Sequence, residues 1–451
     1  MTLEIVSDEV PLDLPFLEKK AIRASYWSVL EYGSATALRV ISSLVLTRLL
    51  VPATFGEMTL VTTLMIGINL LSDVGLAPSV IQSPRGDEPV FLNTAWTIQV
   101  IRGVGLWCVA LAISWPMSLF YHNSTLKFLL PVLALSTLLS GFNSTNLLTL
   151  SRHMGVRRLF AIDGSTSVVS LVVTIAWAYF SPSVWAIVAG QLAGSTYRLV
   201  LSHMPRVTPG IRNSFHLEKA SVTSMIHFGK WIMIATAFFF FASQSDRLIL
   251  GKLITLSLLG IYGLAYSLSD IPRQVILALG ARVAYPFIAK IINLPKEEFQ
   301  AKFLHYRFLF LLVGAFLLSV MANWGPLVIL KLYDKRYHEA AWMIPILTLG
   351  LWDSLLYQTT VPVLLSLGKP KYTAFGNALY CLSIVVGIPV AFHFYGMLGA
   401  VIAIAAGDWP LYLVVQFAVR REGVKPFAQD LKMTGIFLAI LAACYGLRHA
   451  F

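Results

Sequence analysis

Ten ionisable side chains stand inside stretches that are otherwise apolar: Arg39, Asp73, Arg102, Asp246, Arg247, Asp270, Arg273, Arg282, Asp353 and Asp408. Two kinds of chemistry suit them. An arginine deep in an apolar helix offers a permanent positive charge and a planar fork of donors that grips phosphate oxygens in pairs. An aspartate there either carries a proton or sodium ion or serves as a hydrogen-bonded structural acid. At a helix centre in a bilayer each charge costs about 2.5–3.5 kcal/mol, so each is expected to face a bundle interior or a watery cavity. No signature of bond-making chemistry accompanies them. The nine histidines are scattered, and the sequence has no His-Glu-x-x-His, Gly-x-Ser-x-Gly or Walker-type glycine-rich loop. No hydrolase or ATPase chemistry is supported, so the chain is not expected to be an enzyme or to hold a cofactor or metal; any transport would have to draw on Na+ or H+ coupling, on the membrane potential or on removal of product outside.

Depth sorts the candidates. Arg39 and Arg102 each lie about ten residues into their stretches, near 15 Å deep at about 1.5 Å per residue. Snorkelling to an interface is hard from there, so both are read as cavity-facing, with a buried ion pair as the alternative. Arg273 is placed opposite them as a third cavity-facing, phosphate-competent arginine. Asp270 shares its helix face and can simply neutralise it. Arg282 falls on the opposite face from Arg273, nearer a helix end, and ranks below it. Asp246 and Arg247 read as a gate or interfacial pair. Asp73, just before Gly75 and Pro78, either anchors a helix break or binds. Asp353 and Asp408, each about halfway along a span, are candidate coupling-ion sites or structural acids.

The elements that must hold these residues follow from composition. Of 451 residues 57% are hydrophobic and 12% charged, against roughly 25% charged in soluble domains, and mean hydropathy is +0.74. The chain reads as an all-α polytopic membrane protein. Twelve stretches reach the length of about 20 apolar residues that a spanning helix needs: 29–50, 58–82, 92–120, 127–150, 161–180, 184–203, 226–250, 257–289, 304–324, 340–367, 373–394 and 397–419. A shorter run, 433–447, either forms a thirteenth span or lies along the surface. Cys108, Cys381 and Cys444 all fall in apolar runs, so no disulfide framework is expected. No apolar leader precedes a cleavage site in the first twenty residues, so the first span is expected to direct insertion.

Lysine and arginine placement orients the spans. With the N-terminus cytoplasmic, twenty basic residues fall inside and eight outside, the bias expected of cytoplasmic loops. The net charge of +12 is therefore read as lipid-facing, not as a sign of nucleic acid. The chain divides into a cytoplasmic segment 1–25, a six-helix bundle 26–203, a linker 204–225, a second six-helix bundle 226–419 and a C-terminal segment 420–451. An internal repeat supports the division. Thr47-Arg48-Leu49-Leu50, Phe55-Gly56 and Leu71-Ser72-Asp73 in the first half match Asp246-Arg247-Leu248-Ile249, Leu259-Gly260 and Leu268-Ser269-Asp270 in the second.

These residues carry a resemblance. Arg48 through Gly56, with Leu71-Ser72-Asp73-Val-Gly75 and Ile81-Gln82, looks like the N-terminal signature of bacterial polysaccharide flippases. Those form the polysaccharide transporter family of the multidrug/oligosaccharidyl-lipid/polysaccharide exporter superfamily. Asp246 to Lys252, Leu259 to Tyr262, Gly368-Lys-Pro-Lys371 and Tyr395-Gly396-Met-Leu-Gly399-Ala400 resemble its later motifs. Thr54 departs from the pattern, where members often carry an acidic residue before Phe-Gly. The resemblance implies two six-helix lobes in pseudo-two-fold relation around a central cavity, and alternating access. It also implies a cargo of oligosaccharide on undecaprenyl diphosphate, moved across a bacterial inner membrane for exopolysaccharide, capsule or O-antigen assembly. A polysaccharide polymerase and a chain-length regulator are the partners it implies. An exporter of small organic molecules is the alternative. A membrane glycosyltransferase or polymer ligase fits poorly, since no outside loop exceeds some fifteen residues.

Overall fold

The computed structural model describes residues 33–73, 75–153, 155–277 and 294–450. Among them every regular element is helical. In chain order they are α1 (33–49), α2 (Pro52–Leu71), α3 (Leu76–Gln82), α4 (Pro89–Phe120), α5 (Leu126–Gly141), α6 (Asn146–Arg152), α7 (Val156–Phe180) and α8 (Val184–His203). After the linker come α9 (Lys219–Leu253), α10 (Leu256–Ser269), α11 (271–277), α12 (Lys296–Leu332), α13 (Ala340–Gln358), α14 (Val361–Ser366), α15 (Pro370–Ala405), α16 (Trp409–Arg421) and α17 (Phe427–Ala450).

Continuous hydropathy conceals breaks, and proline marks several of them. Proline has no N–H to give an i−4 carbonyl, so a helix's first turn, where that N–H has no partner anyway, is its favoured place. It opens α2, α4 and α15 and sits in the first turn of α14 and α16. The expected span 58–82 is accordingly two pieces that start earlier, α2 and α3, parted at Ser72–Gly75. The span 127–150 is α5 and α6, bent by 66°, and 340–367 parts at Thr359–Thr360 into α13 and α14. At Gly396, with φ 57 and ψ −143, the chain turns between the eleventh and twelfth expected spans inside α15. That conformation is open to glycine and strained for other residues. The twelfth then breaks again at Asp408.

Seven helical stretches among the described residues are long and apolar enough to cross a membrane, or eight when α5 and α6 count as one. That count covers only the described residues, so the expected spans 29–50 and 257–289 enter it incompletely, and it takes the eleventh and twelfth together as one stretch, Pro370–Arg421; helix breaks shorten others. The chain is a multi-pass helical membrane protein with a two-lobed core. One large apolar cluster joins the lobes, running from Leu60, Leu129 and Val188 in the first to Leu259, Tyr262 and Ile344 in the second.

Helix α9 starts at Lys219, seven residues before the expected boundary, and what precedes it is fastened down. Asn146 Nδ2 donates to the carbonyls of Thr208 (3.3 Å) and Ile211 (3.1 Å). Asn213 meets Ser144 Oγ at 2.7 Å and Thr145 Oγ1 at 2.7 Å. The backbone N–H groups of Ser214, His216 and Glu218 donate to Asn93, Thr97 and Thr94 on α4, at 3.0, 3.0 and 3.1 Å. The linker is therefore part of the first bundle's surface.

Helix α17 begins six residues earlier than the expected run 433–447 and is long and apolar enough to cross. Its first turns hold Asp430, which pairs with Arg307 of α12 at 2.5 Å. Both are 2% exposed. Arg307 also donates to Thr359 Oγ1 (3.0 Å), Gln429 Oε1 (3.0 Å) and the Leu356 carbonyl (2.8 Å). Asp430 accepts from Tyr412 at 3.0 Å and from Gln416. A buried ion pair persists only when its other donors and acceptors find partners, and here groups from α13, α16 and α17 supply them.

Candidate functional site

Each lobe contains a polar cavity. In the first, α1, α5, α7 and α8 enclose about 460 Å3. Arg39 of α1 and Arg198 of α8 both line it, among serine and threonine hydroxyls and Gln191. Arg198 is paired with Asp163 at 3.1 Å. Close helix packing shapes the wall, since Gly190 lies against Thr174 and Gly194 against Ser170.

In the second lobe a cavity of about 490 Å3 is bounded by α9, α10, α11, α13, α14, α15 and α16. Its charged lining is Asp246, Asp270, Arg273 and Asp408. The break between α10 and α11, two residues before Pro272, presents Asp270 at a helix end. Asp270 Oδ1 accepts from Arg273 Nε at 2.5 Å, and Oδ2 from Gln274 Nε2 at 2.6 Å. Arg273 reaches on to Ser354 Oγ at 3.4 Å. Asp246 accepts from Tyr262 at 2.5 Å, and Asp408 from Tyr357 at 3.3 Å.

The two sites touch. Arg39 Nη2 donates across the lobes to Gln274 Oε1 at 3.2 Å, so one polar chain runs Arg39–Gln274–Asp270–Arg273–Ser354. On one side of it the lobes are sealed. A Cβ on Gly56 would lie 1.8 Å from the Leu256 carbonyl oxygen, and one on Gly260 would lie 2.1 Å from that of Pro52. The repeat's two glycines thus meet face to face, backbone against backbone. Hydrogen bonds reinforce this pole. Tyr337 donates to the Leu50 carbonyl (2.9 Å), Arg336 to those of Thr47 and Arg48 (both 3.2 Å), and Lys252 to that of Phe120 (2.5 Å).

The remaining sequence candidates separate by their partners. Arg102 is committed to the end of α2: Nε donates to the Ser72 carbonyl at 2.9 Å and Nη2 to that of Asn69 at 2.8 Å. It caps carbonyls that the broken helix leaves without N–H partners, and neither lobe's cavity includes it. Asp73 anchors the same break by accepting from the Gly75 N–H at 2.9 Å, with Gly75 left-handed at φ 61. Arg247 donates to Gln244 at 2.6 Å and lies 4.7 Å from the Tyr266 ring centre, a cation–π contact within its own lobe. Asp353 is buried at 8% exposure and, unlike Asp408, does not line the second cavity. Arg282 lies outside the described residues. Arg198 and Gln191 are the lining residues that sequence reasoning passed over. Arg198 sits near the end of α8, where it reads as a loop charge, although Gln191, Ser195 and Arg198 at helical spacing on one face were a visible signal.

Comparison with known proteins gives consistent findings. A family model described as "Polysaccharide biosynthesis protein" matches residues 45–341. The lipopolysaccharide biosynthesis protein WzxC of Escherichia coli is 24% identical over 82% of this chain and 76% of its own length. The succinoglycan biosynthesis transport protein ExoT of Rhizobium meliloti is 21% identical over 78% and 70%. Among solved structures, an inward-facing multidrug resistance MATE family transporter superposes with TM-score 0.65 at 11% identity, covering 90% of this chain and 95% of that one. The lipid II flippase MurJ, in an inward closed conformation, gives 0.61 at 13% identity, covering 96% and 97%. The fold is that of these transporters, and the chain belongs to the polysaccharide biosynthesis protein family.

Proposed function

We propose that this chain is a flippase that carries oligosaccharide on undecaprenyl diphosphate from the inner to the outer leaflet of a bacterial cytoplasmic membrane by alternating access. The observation that supports the reading is the hydrogen bond from Arg39 of the first cavity to Gln274, which in turn donates to Asp270 of the second, so that one polar chain links the two. Arg39 and Arg198 in the first lobe and Arg273 in the second supply guanidinium groups for the diphosphate. Low-dielectric surroundings strengthen that attraction. With the N-terminus cytoplasmic, the sealed pole faces outward and cargo enters from the cytoplasm. Asp353 and Asp408 are the candidate sites for a coupling proton or sodium ion. A polymerase and a chain-length regulator are the expected partners downstream, for exopolysaccharide, capsule or O-antigen.

The test is accumulation of lipid-linked oligosaccharide in cells whose only copy carries Arg39→Ala, after membrane insertion has been checked. Cargo held on the inner leaflet with surface polymer lost is the expected result. Normal polymer in a full deletion strain with no redundant exporter would overturn the reading. One observation favours a second reading, export of small organic cations: three aspartates line the second cavity against one arginine. That reading requires the deletion strain to become more sensitive to cationic dyes such as ethidium while its surface polymer stays normal.

A further inference from the structure

Hydroxyl side chains in apolar helices ordinarily satisfy themselves by donating to the carbonyl three or four residues back. Several lining the first cavity do so. Ser136 donates to Leu133 at 2.7 Å, Ser140 to Ser136 at 2.8 Å, and Thr174 to Ser170 at 2.8 Å. Their lone pairs remain as acceptors toward the cavity. Four neighbours differ. Thr166 and Ser170 on α7 and Gln191 and Ser195 on α8 line the same cavity, yet their side chains make no hydrogen bond among the described residues. The Thr166 hydroxyl and the Nε of Arg198 are fully buried atoms without a hydrogen-bond partner. Each pair is four residues apart, so its two members stack on one helix face. Native structures seldom leave buried donors such as these two unused, and each calls for an explanation.

We infer that this wall of α7 and α8 is a subsite for the glycan part of the cargo, binding sugar hydroxyls beside the arginines that hold the diphosphate; the inference rests on the flippase reading above. A sugar hydroxyl donates and accepts at once, which matches a wall where back-bonded serines only accept while Gln191 and the unpaired hydroxyls do both. The volume of about 460 Å3 lies within the range of about 300–1,000 Å3 usual for small-molecule sites. The wall selects for sugar over bare lipid diphosphate, so the chain distinguishes glycosylated carrier from the recycled one.

The experiment uses the full-length chain purified in detergent, with two probes: undecaprenyl diphosphate, and lipid-linked oligosaccharide extracted from cells deleted for this chain. Wild type binds the glycosylated probe more tightly. In Thr166→Val/Gln191→Leu, which keeps volume and removes hydrogen bonds, affinity for the glycosylated probe falls about tenfold and affinity for undecaprenyl diphosphate is unchanged. Arg39→Ala weakens both. Equal wild-type affinity for the two probes would overturn the glycan subsite and leave the flippase standing, whereas binding of neither would remove both. An unchanged preference in the double variant would also overturn the subsite. If the double variant melts below wild type, the single variants Thr166→Val and Gln191→Leu are measured, and loss of affinity for both probes alike in either one counts against the proposal.

Discussion

Replacing Gly56 by alanine should drive the sealed pole open. The added Cβ would lie 1.8 Å from the Leu256 carbonyl oxygen and 2.6 Å from its carbon, where side-chain carbons essentially never come within 3.0 Å. The obstacle is backbone, which cannot rotate out of the way as a flexible side chain can. Helices α2 and α10 must therefore part by at least about 1 Å, and overpacking of this kind costs about 1–3 kcal/mol. That cost falls on the sealed form alone, so the equilibrium between sealed and open forms shifts about 5–150-fold toward open. The assay is cross-linking with a short bismaleimide between cysteines at His122 and Lys252, whose side chains lie 3.3 Å apart across the lobes, with Cys108, Cys381 and Cys444 replaced by serine. Cross-linking should fall and flipping should slow, with little change in melting temperature. Wild-type cross-linking together with wild-type flipping would refute the claim that this contact is the seal.

Asp430→Asn leaves Arg307 charged, buried and unpaired, and should cost about 3–5 kcal/mol, read as a lower melting temperature in detergent; an unchanged melt would show that α17 is peripheral. Arg102→Met should lose about 2–3 kcal/mol of stability by uncapping α2, with flipping per folded molecule intact, whereas slow flipping at full stability would return Arg102 to the substrate path. Asp73→Ala should cost only about 1 kcal/mol, the scale of one turn-stabilising hydrogen bond, in the same melting assay. The Ser221 hydroxyl and Arg85 hold Glu218 below the ordinary glutamate value of 4.5, against the opposing pull of burial. A depressed carboxylate contributes its stability above the unfolded value and loses it as pH falls through the folded one. Proteolysis of the linker should therefore quicken below about pH 4.5 in wild type and lose that pH dependence in Glu218→Gln.

The repeat of Phe55-Gly56 with Leu259-Gly260 and Asp73 as a helix anchor were readable from residue spacing, because helical periodicity carries over distances of a few turns. Arg198 by itself reads as a loop charge near a helix end, and only its helical spacing from Gln191 and Ser195 marks it as cavity-lining. Arg307 and Asp430 belong to helices far apart in the chain, and no local pattern announces a partner at that separation. Arg102 shows the opposite failure: its place within an apolar run suggested a cavity, but its partners are backbone carbonyls that exist only because α2 breaks, and hydropathy does not register the break.

The linker's attachment bears on how the protein can be divided. A cut made by composition, after residue 203, would strip Asn93, Thr94, Thr97, Ser144 and Asn146 of the backbone and side-chain groups they hold. A first fragment carried through residue 218 keeps those partners and also Glu218, the mate of Arg85. Co-expressed half-proteins should therefore reassemble from the later cut and not the earlier one. For the same reason, a reporter domain inserted among residues 208–216 would disrupt a packed surface, although the segment reads as a tether.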